Sequence, residues 1–343
     1  MDLIAVLTDL SLTPAPSGSE SQMAALGMKL LGPHMDEVSV DPLGSVIGRR
    51  ACGKQGARRV LIEAHMDEVG FIVTGHKGSF LTLSPIGSID LRQLPGTRLR
   101  VLTEPPQAGV IACLPPHVLS KGDMDKVTSW DDTLLDLGLT EDEVKHIPLG
   151  TPAVYDTRPA LMGETRFSGK ALDNRASIVT ILLMLEALPK TPDFDLFILL
   201  STQEELGMRG AGPGAFAVEP DLCIALDVTF AHTPDASKEQ TVLPGGGPAI
   251  GIGPVLDRTF SKRLTELAET QHIPHQFEIL SGSTSTTADK LQTVRAGVPT
   301  ALISLPLRYM HSASELVDLT DIRAAASLLT AFLQDLEGGA SHA

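Results

Sequence analysis

The sequence predicts an α/β fold, with a mixed, largely parallel sheet flanked by helices and a small β-rich domain inserted into it. Two observations lead to this prediction. After Gly163, apolar strand-like runs alternate with helical segments, which is the rhythm of a largely parallel sheet covered on both faces. From about Leu81 to Asp156 the chain instead consists of short β-type runs interrupted by Pro and Gly, together with one polar stretch, Asp131 to His146, that we expect to be helical. We therefore expect one domain from residues 1–68 and 157–343 and an inserted domain from residues 69–156.

The individual elements follow in chain order. Residues 1–12 and 19–32 carry apolar residues at helical spacing and are separated by a Pro/Ser/Gly turn, so the chain should open as helix, turn, helix. EVSVDPLGSVIGRR alternates as a hairpin does, and RRVLIEAHMDEVGFIV begins as a buried strand. The second half predicts helices at NRASIVTILLMLEAL, FSKRLTELAETQ and DIRAAASLLTAFLQDL, and strands at DFDLFILLST, DLCIALDVT and GVPTALISLPL.

Composition excludes several classes of protein. The 343 residues, 43% of them apolar, can bury a large core. A formal charge of −15 without a basic run argues against nucleic-acid or anionic-membrane partners. The three cysteines are far apart, which argues against disulfides and fits a reducing compartment. The first residues lack the features of a signal peptide, and the longest apolar run is too short for a membrane span, so we expect a cytoplasmic protein.

Reactive groups gather at the carboxyl ends of strands in open α/β sheets, so polar residues directly after apolar β-type runs are the candidate functional residues. Five segments have polar residues there: VLIEAHMDEVG, SGKALDNRAS, FILLSTQEELGMRGA, LCIALDVT and LRYMHSASE. Their candidate residues are, in chain order, His65 and Asp67, Asp173, Glu204 and Glu205, Asp227, and His311.

Each of these residues also has an ordinary structural interpretation. Asp173 precedes a helix and could be its N-cap, the adjacent Glu204 and Glu205 could lie in a solvated loop, and either histidine could be structural. Asp227 is the strongest single signal, because a carboxylate in an apolar strand needs a partner. Taken together, two histidines and several acids after strands of one sheet predict a two-metal site. The charges of Asp173, Glu205 and Asp227, with Glu204, would balance two divalent cations.

The ordered segments resemble the M42 family of metallo-aminopeptidases, relatives of tetrahedral and glutamyl aminopeptidases. The resemblance runs nearly end to end, through PAPSGSE, EAHMDEVGFIV, LPGTRLRV, GVIACLPPHVL, GKALDNRAS, TQEELGMRGA, ALDVT, PGGGPAIGIGP and GVPTALISLPLRYMHSASELVDL. It implies a zinc-peptidase-like catalytic domain with a PDZ-like dimerisation domain inserted, a homo-oligomer in which dimers assemble into a dodecamer, and short peptides as substrates.

The resemblance also implies a role for each candidate residue. Asp173 would bridge two divalent metal ions, Zn²⁺ or Co²⁺ or alternatively Mn²⁺. His65 and Asp227 would complete the ligands of one ion, and Glu205 and His311 would complete those of the other. Glu204 would be the general base that activates the metal-bridging water, and Asp67 would orient His65.

One segment departs from the family pattern, and two alternative functions stay open at this point. Where many members have Gly-Thr-Asp-Ala, this chain has Ser285, Thr286, Thr287 and Ala288, with the acid only at Asp289. This departure puts the preferred N-terminal side chain in question. The alternatives are a di-metal carboxypeptidase, dipeptidase or deacylase of the M20 type, or a non-catalytic oligomeric scaffold. The M20 pattern places the small domain after the paired glutamates, whereas here the insertion precedes Asp173.

Overall fold

A computed structural model describes residues 1–118, 122, 127, 129–188 and 192–337. The α-helices are α1 (Leu3–Leu12), α2 (Ser21–Leu31), α3 (Glu141–Val144), α4 (Leu172–Ala187), α5 (Ala211–Val218), α6 (Arg258–Thr270), α7 (Ala288–Leu291) and α8 (Leu319–Glu337). The strands are β1 (Glu37–Val40), β2 (Val46–Arg50), β3 (Arg59–His65), β4 (Gly70–Lys77), β5 (Phe80–Ile86), β6 (Arg98–Val101), β7 (Gln107–Ile111), β8 (Leu134–Asp136), β9 (Pro152–Tyr155), β10 (Ala160–Met162), β11 (Arg166–Gly169), β12 (Asp195–Ser201), β13 (Leu222–Phe230), β14 (Ala249–Ile252), β15 (Gln276–Ile279), β16 (Thr300–Arg308) and β17 (Glu315–Asp318).

The main sheet is mixed, as predicted, with the order β1-β2-β12-β3-β13-β16-β17-β11-β10 and with β14 and β15 attached beside β16. Parallel pairing joins β12, β3, β13 and β16 at its centre. The prediction of a largely parallel sheet was wrong for the outer strands, which pair antiparallel apart from β14 with β15. Short hairpins such as β1–β2 and β10–β11 return without a crossover helix, so their pairing must be antiparallel.

Apolar runs without alternation explain the central strands. All seven residues of β12 are buried, as are the first eight of β13, which is the pattern of strands covered on both faces. Helices α1, α4 and α8 contribute to one core, together with Phe260 and Leu264 of α6. Helices α5 and α7 belong to a second core on residues of β3, β12, β13 and β16. Within the described residues, no helix is both long and apolar enough to cross a membrane.

The segment between β3 and β10 forms a separate β structure. Strands β4, β5, β8, β7, β6 and β9 close into a barrel with its own apolar core, built around Phe71, Leu83, Leu99 and Tyr155. The polar stretch from Asp131 to His146, which the sequence suggested to be helical, instead contains strand β8 followed by the single turn of α3. The barrel strands run from Gly70 to Tyr155.

Candidate metal centre

The carboxyl ends of the four central parallel strands bring the candidate residues to one edge of the sheet. His65 is the last residue of β3, and Asp227 lies in β13 beside it. Glu204 and Glu205 follow β12, and His311 follows β16 in a left-handed turn with φ of 61°. Because these strands run in the same direction, their ends converge on one cavity.

Asp173 enters from the start of α4, and its side chain does not cap that helix. The backbone at Asp173 is not helical (φ −75°, ψ 102°), and Ala171 takes the N-cap position without a side-chain hydrogen bond. The Asp173 carboxylate instead points to the two histidines. The N-cap interpretation of Asp173 was therefore wrong, because its carboxylate contacts side chains from β3 and from the turn after β16.

The two oxygens of Asp173 are divided between the two histidines. Oδ1 lies 3.0 Å from His65 Nε2, and Oδ2 lies 3.3 Å from His311 Nε2. Asp227 Oδ1 lies 3.9 Å from His65 Nε2, whereas Glu205 Oε1 lies 3.1 Å from His311 Nε2. His65, Asp173 and Glu205 each offer a ligand atom within 4.8 Å of the others. Two donor sets thus share one carboxylate, as two adjacent metal sites require.

Asp67 holds the backbone of the paired glutamates. Its Oδ1 accepts a hydrogen bond from the Glu204 N–H at 3.0 Å, and its Oδ2 accepts one from the Glu205 N–H at 3.1 Å. Oδ1 also lies 3.4 Å from His65 Nδ1, a contact without hydrogen-bond geometry. Ser17 donates a further short hydrogen bond to Asp67. Asp67 thus fixes the backbone positions from which both glutamate side chains extend.

The His311 ring is oriented by a carbonyl from outside the main sheet. Its Nδ1 lies 2.8 Å from the backbone oxygen of Ser88, in the segment after β5. An N–H on Nδ1 that donates to this carbonyl leaves Nε2 as the ligand atom, facing Asp173 and Glu205. The segment after the barrel strand therefore sets the tautomer of a candidate ligand.

The electrostatics of the cluster fit divalent cations. Burial, reinforced by repulsion from Asp173 and Glu204, raises the pKa of Asp227 well above its usual range. Burial and the neighbouring Glu205 and Asp173 carboxylates raise the pKa of Glu204 to about 8. Burial would raise the pKa of Asp173 as well, but its hydrogen bonds with His311 and His65 lower it. Carboxylates that must gain protons unless positive charge is supplied, together with imidazoles, are a donor set suited to Zn²⁺, Co²⁺ or Mn²⁺.

Sequence reasoning missed Glu315, which supports the cluster from β17. One of its oxygens accepts the backbone N–H of Asp173 at 3.0 Å, and the other accepts that of His311 at 2.7 Å. Its side chain is buried, and burial with repulsion from Asp173 raises its pKa to about 8. An acid at the head of the apolar run ELVD was the available signal, of the same kind that singled out Asp227.

The segment that departs from the family pattern forms part of the cavity wall. Thr284, Ser285 and Thr286 line the cavity, which has a volume of about 380 Å³. Asp289 holds this loop by accepting hydrogen bonds from the backbone N–H of Thr284 at 2.9 Å and of Ser285 at 3.2 Å. Thr287 is buried and donates a short hydrogen bond to the Glu63 carboxylate. Asp289 therefore stabilises the backbone of this part of the cavity wall by hydrogen bonds.

Comparisons with known proteins agree with this architecture. The model of the family described as M42 glutamyl aminopeptidase matches residues 44–328. The lysyl aminopeptidase of Pyrococcus furiosus is 34% identical over 334 residues, covering 95% of each chain. Among solved structures, aminopeptidase APDkam598 from the archaeon Desulfurococcus kamchatkensis has a TM-score of 0.90 at 34% identity, covering 97% of this chain and 94% of its own. The TET1 peptidase of Pyrococcus horikoshii, described as assembling into a tetrahedron or a large octahedral shell, has a TM-score of 0.84 at 25% identity, covering 97% and 99%.

Proposed function

Because the chain belongs to the M42 glutamyl aminopeptidase family, we propose that it is an aminopeptidase that removes N-terminal residues from short peptides with two divalent metal ions. The observation that carries this proposal is the position of Asp173, with one carboxylate oxygen beside His65 and the other beside His311. A single carboxylate placed between two such donor sets is suited to bridging a pair of cations.

In this proposal, His65, Asp227 and Asp173 hold one ion, and Glu205, His311 and Asp173 hold the other. Zn²⁺ and Co²⁺ suit these nitrogen and oxygen donors, and Mn²⁺ is an alternative. The bound cations supply Lewis-acid polarisation of the scissile carbonyl and lower the pKa of water.

Glu204 is the proposed proton carrier. Its side chain lines the same cavity as the candidate ligands, and its backbone N–H is fixed by Asp67. In its carboxylate form it takes a proton from the attacking water, and it then delivers that proton to the departing amine. Its half-buried carboxyl, with a pKa raised to about 8, favours uptake of that proton.

The proposal also assigns a role in assembly to the barrel region. We propose that residues 69–156 form an inserted PDZ-like dimerisation domain within a catalytic domain of residues 1–68 and 157–343. Dimers formed through it would assemble into a cytoplasmic dodecamer, in line with the dodecamer described for PhTET1-12s and the tetrahedron described for the TET1 peptidase. Native mass spectrometry that shows twelve subunits would support this assembly, and a stable monomer would contradict it.

The activity is tested with one set of peptides. The purified protein is incubated with Co²⁺ or Zn²⁺ and a pentapeptide that has both ends free, an acetylated N-terminus or an amidated C-terminus, and the products are identified by mass spectrometry. We expect stepwise loss of N-terminal residues from the free and the amidated peptide and no cleavage of the acetylated one. Cleavage that depends on the free C-terminus would indicate a carboxypeptidase, and no cleavage of any peptide would indicate a scaffold.

A further inference from the structure

The cavity contains one more carboxylate, Glu278, which lies outside the metal cluster. Glu278 is on the short strand β15, and its side chain lines the cavity that also contains Glu204, Asp227 and His311. Neither the two donor sets nor the proton transfer by Glu204 uses it. Because it lies on the wall of the cavity, Glu278 can contact a bound substrate.

The register of the sheet places Glu278 beside the metal cluster. Ser304 on β16 lies directly opposite Asp227 on β13, and Thr229 follows two residues after Asp227 on the same face of β13. The Ser304 hydroxyl donates to Glu278 Oε2 at 2.9 Å, and the Thr229 hydroxyl donates to Glu278 Oε1 at 2.5 Å. Since neighbouring strands lie about 4.8 Å apart, Ser304 is one strand spacing from Asp227, and the Glu278 carboxylate is therefore held by a residue that neighbours a proposed metal ligand.

The carboxylate of Glu278 is held in place by two uncharged hydroxyl groups. Thr229 and Ser304 are both buried, and their hydroxyls fix one hydrogen bond on each oxygen of the half-buried Glu278. In the part of the chain that the structure describes, no Lys, Arg or His side chain forms an ion pair with Glu278. Each carboxylate oxygen keeps a second lone pair, so the group can still accept hydrogen bonds from a cation in the cavity.

We propose that Glu278 selects peptides whose N-terminal residue has a basic side chain, lysine above all, and this inference rests on the proposed aminopeptidase function. A substrate whose scissile bond lies at the metal cluster has its α-amine next to that bond. The Glu278 carboxylate lies at another part of the same cavity wall, where the hydroxyls of Ser304 and Thr229 hold it. The four-carbon stem of lysine can span that separation and present its ammonium group to Glu278.

The remaining cavity wall suits such a side chain. Met208 and Phe230 also line the cavity, so the apolar stem of a lysine can pack against them while its charged end reaches Glu278. An N-terminal glutamate would instead bring a negative charge next to the Glu278 carboxylate. Glutamyl substrates are therefore expected to be poor, although the family model carries the description glutamyl aminopeptidase.

The test compares substrates that differ only in charge at the end of the side chain. The metal-loaded protein is assayed for kcat/KM on lysyl, norleucyl and glutamyl amidomethylcoumarins, since norleucine retains the lysine stem without its ammonium group. We expect lysyl over norleucyl by roughly 10- to 100-fold, the contribution of a hydrogen bond to a charged group. Glu278→Gln should reduce this ratio to near one, and Glu278→Asp, which keeps the charge, should retain part of it.

A matched variant and a second readout complete the design. Glu164→Gln makes the same change at an exposed position in the turn between β10 and β11, and it should leave all three rates unchanged. Calorimetric Kd values of the metal-loaded protein for free lysine and norleucine should show the same preference and its loss in Glu278→Gln. Thermal unfolding of each variant establishes that it is folded.

The outcomes separate this inference from the proposed function. Equal losses on lysyl and norleucyl substrates in Glu278→Gln would overturn the inference, because Glu278 would then hold the α-amine or only the strands. Activity of the unaltered protein on norleucyl with no lysyl preference would overturn it too, and would leave the aminopeptidase function intact. If none of the substrates were hydrolysed, the proposed function would fail, and equal Kd values for lysine and norleucine would overturn the role of Glu278 independently.

Discussion

The side-chain carboxylate of Glu315 accepts a hydrogen bond from the backbone N–H of Asp173 at 3.0 Å. Its other oxygen accepts the N–H of His311 at 2.7 Å, so one buried carboxylate fixes the backbone of two candidate metal ligands from different parts of the chain. The position of the proposed bridging aspartate is thereby tied to that of His311.

Replacing Glu315 by Gln should weaken metal binding. Glutamine has one acceptor oxygen in place of two, so either Asp173 or His311 loses its backbone partner. Loss of a group that supports metal ligands typically costs roughly 10- to 100-fold in affinity. Titration of the chelator-treated protein with Zn²⁺ measures this change. Glu164→Gln serves as the exposed control and should bind Zn²⁺ as the unaltered protein does. If Glu315→Gln also binds Zn²⁺ with the affinity of the unaltered protein, Glu315 does not position the ligands.

Replacing Asp67 by Asn should affect catalysis more than metal binding. Asp67 accepts the N–H of both Glu204 and Glu205, and an asparagine can accept only one of them through its single oxygen. A displaced Glu204 would transfer protons less well, so kcat should fall by roughly 10- to 100-fold with a smaller change in KM. Steady-state kinetics with a peptide that has a free N-terminus measures both constants. A change in KM alone would assign Asp67 to substrate binding instead.

Replacing Asp227 by Asn should have opposite effects with and without metal. In the metal-free protein, burial near Asp173 and Glu204 raises the pKa of Asp227, so folding at neutral pH requires the uptake of a proton that an asparagine does not need. The variant should therefore melt a few degrees higher than the unaltered protein in the presence of a chelator. Added Zn²⁺ should stabilise the unaltered protein much more than the variant, because stabilisation by a ligand grows with the logarithm of its affinity. Equal stabilisation of both by Zn²⁺ would remove Asp227 from the ligand set.

Lys170, which is not one of the proposed metal ligands, should make the free energy of unfolding depend on pH. Its ammonium group is buried against Glu68 at 2.8 Å, and burial lowers its pKa from 10.5 to about 8. Between these two pH values the unfolded chain binds more protons than the folded one, so the free energy of unfolding rises with pH. The rise attributable to Lys170 is of order 3 kcal/mol at most. It should be absent in Lys170→Met.

Denaturant unfolding of Lys170→Met and of the unaltered protein, at about pH 7.5 and about pH 10, measures this difference. The free energy of unfolding of the unaltered protein, minus that of Lys170→Met, should be larger at the higher pH than at the lower one. A difference that is the same at both pH values would show that Lys170 titrates alike in the folded and unfolded chain.

The sequence predicted most of what positions the candidate metal ligands. Uninterrupted apolar runs identified β3, β12, β13 and β16 as strands, and polar residues at or after the end of each run lie at the shared edge of the sheet. This works because parallel strands covered on both faces have a simple pattern, and because their carboxyl ends converge. The elements that run antiparallel at the margins of the sheet have no such pattern.

Contacts that depend on register were not predictable from the sequence. Glu278 reaches Ser304 and Thr229 across β14, and no pattern along the chain reports which residues of three separate strands lie side by side. Ser88 contacts His311 from 223 positions away, and Glu315 joins two loops by hydrogen bonds to backbone groups alone. Asp289 appeared from the sequence to be a displaced site residue, and its hydrogen bonds show that it holds the cavity wall instead.

The role of Glu204 is tested most directly by kcat and metal content measured together on Glu204→Gln. Glutamine has nearly the same size and shape but cannot accept a proton, whereas the proposed ligands His65, Asp173, Glu205, Asp227 and His311 are unchanged. We expect two metal ions per subunit by elemental analysis, as in the unaltered protein, with kcat reduced by about 10²- to 10⁴-fold. Two bound ions with an unchanged kcat would contradict the central claim that Glu204 carries the proton between the attacking water and the departing amine.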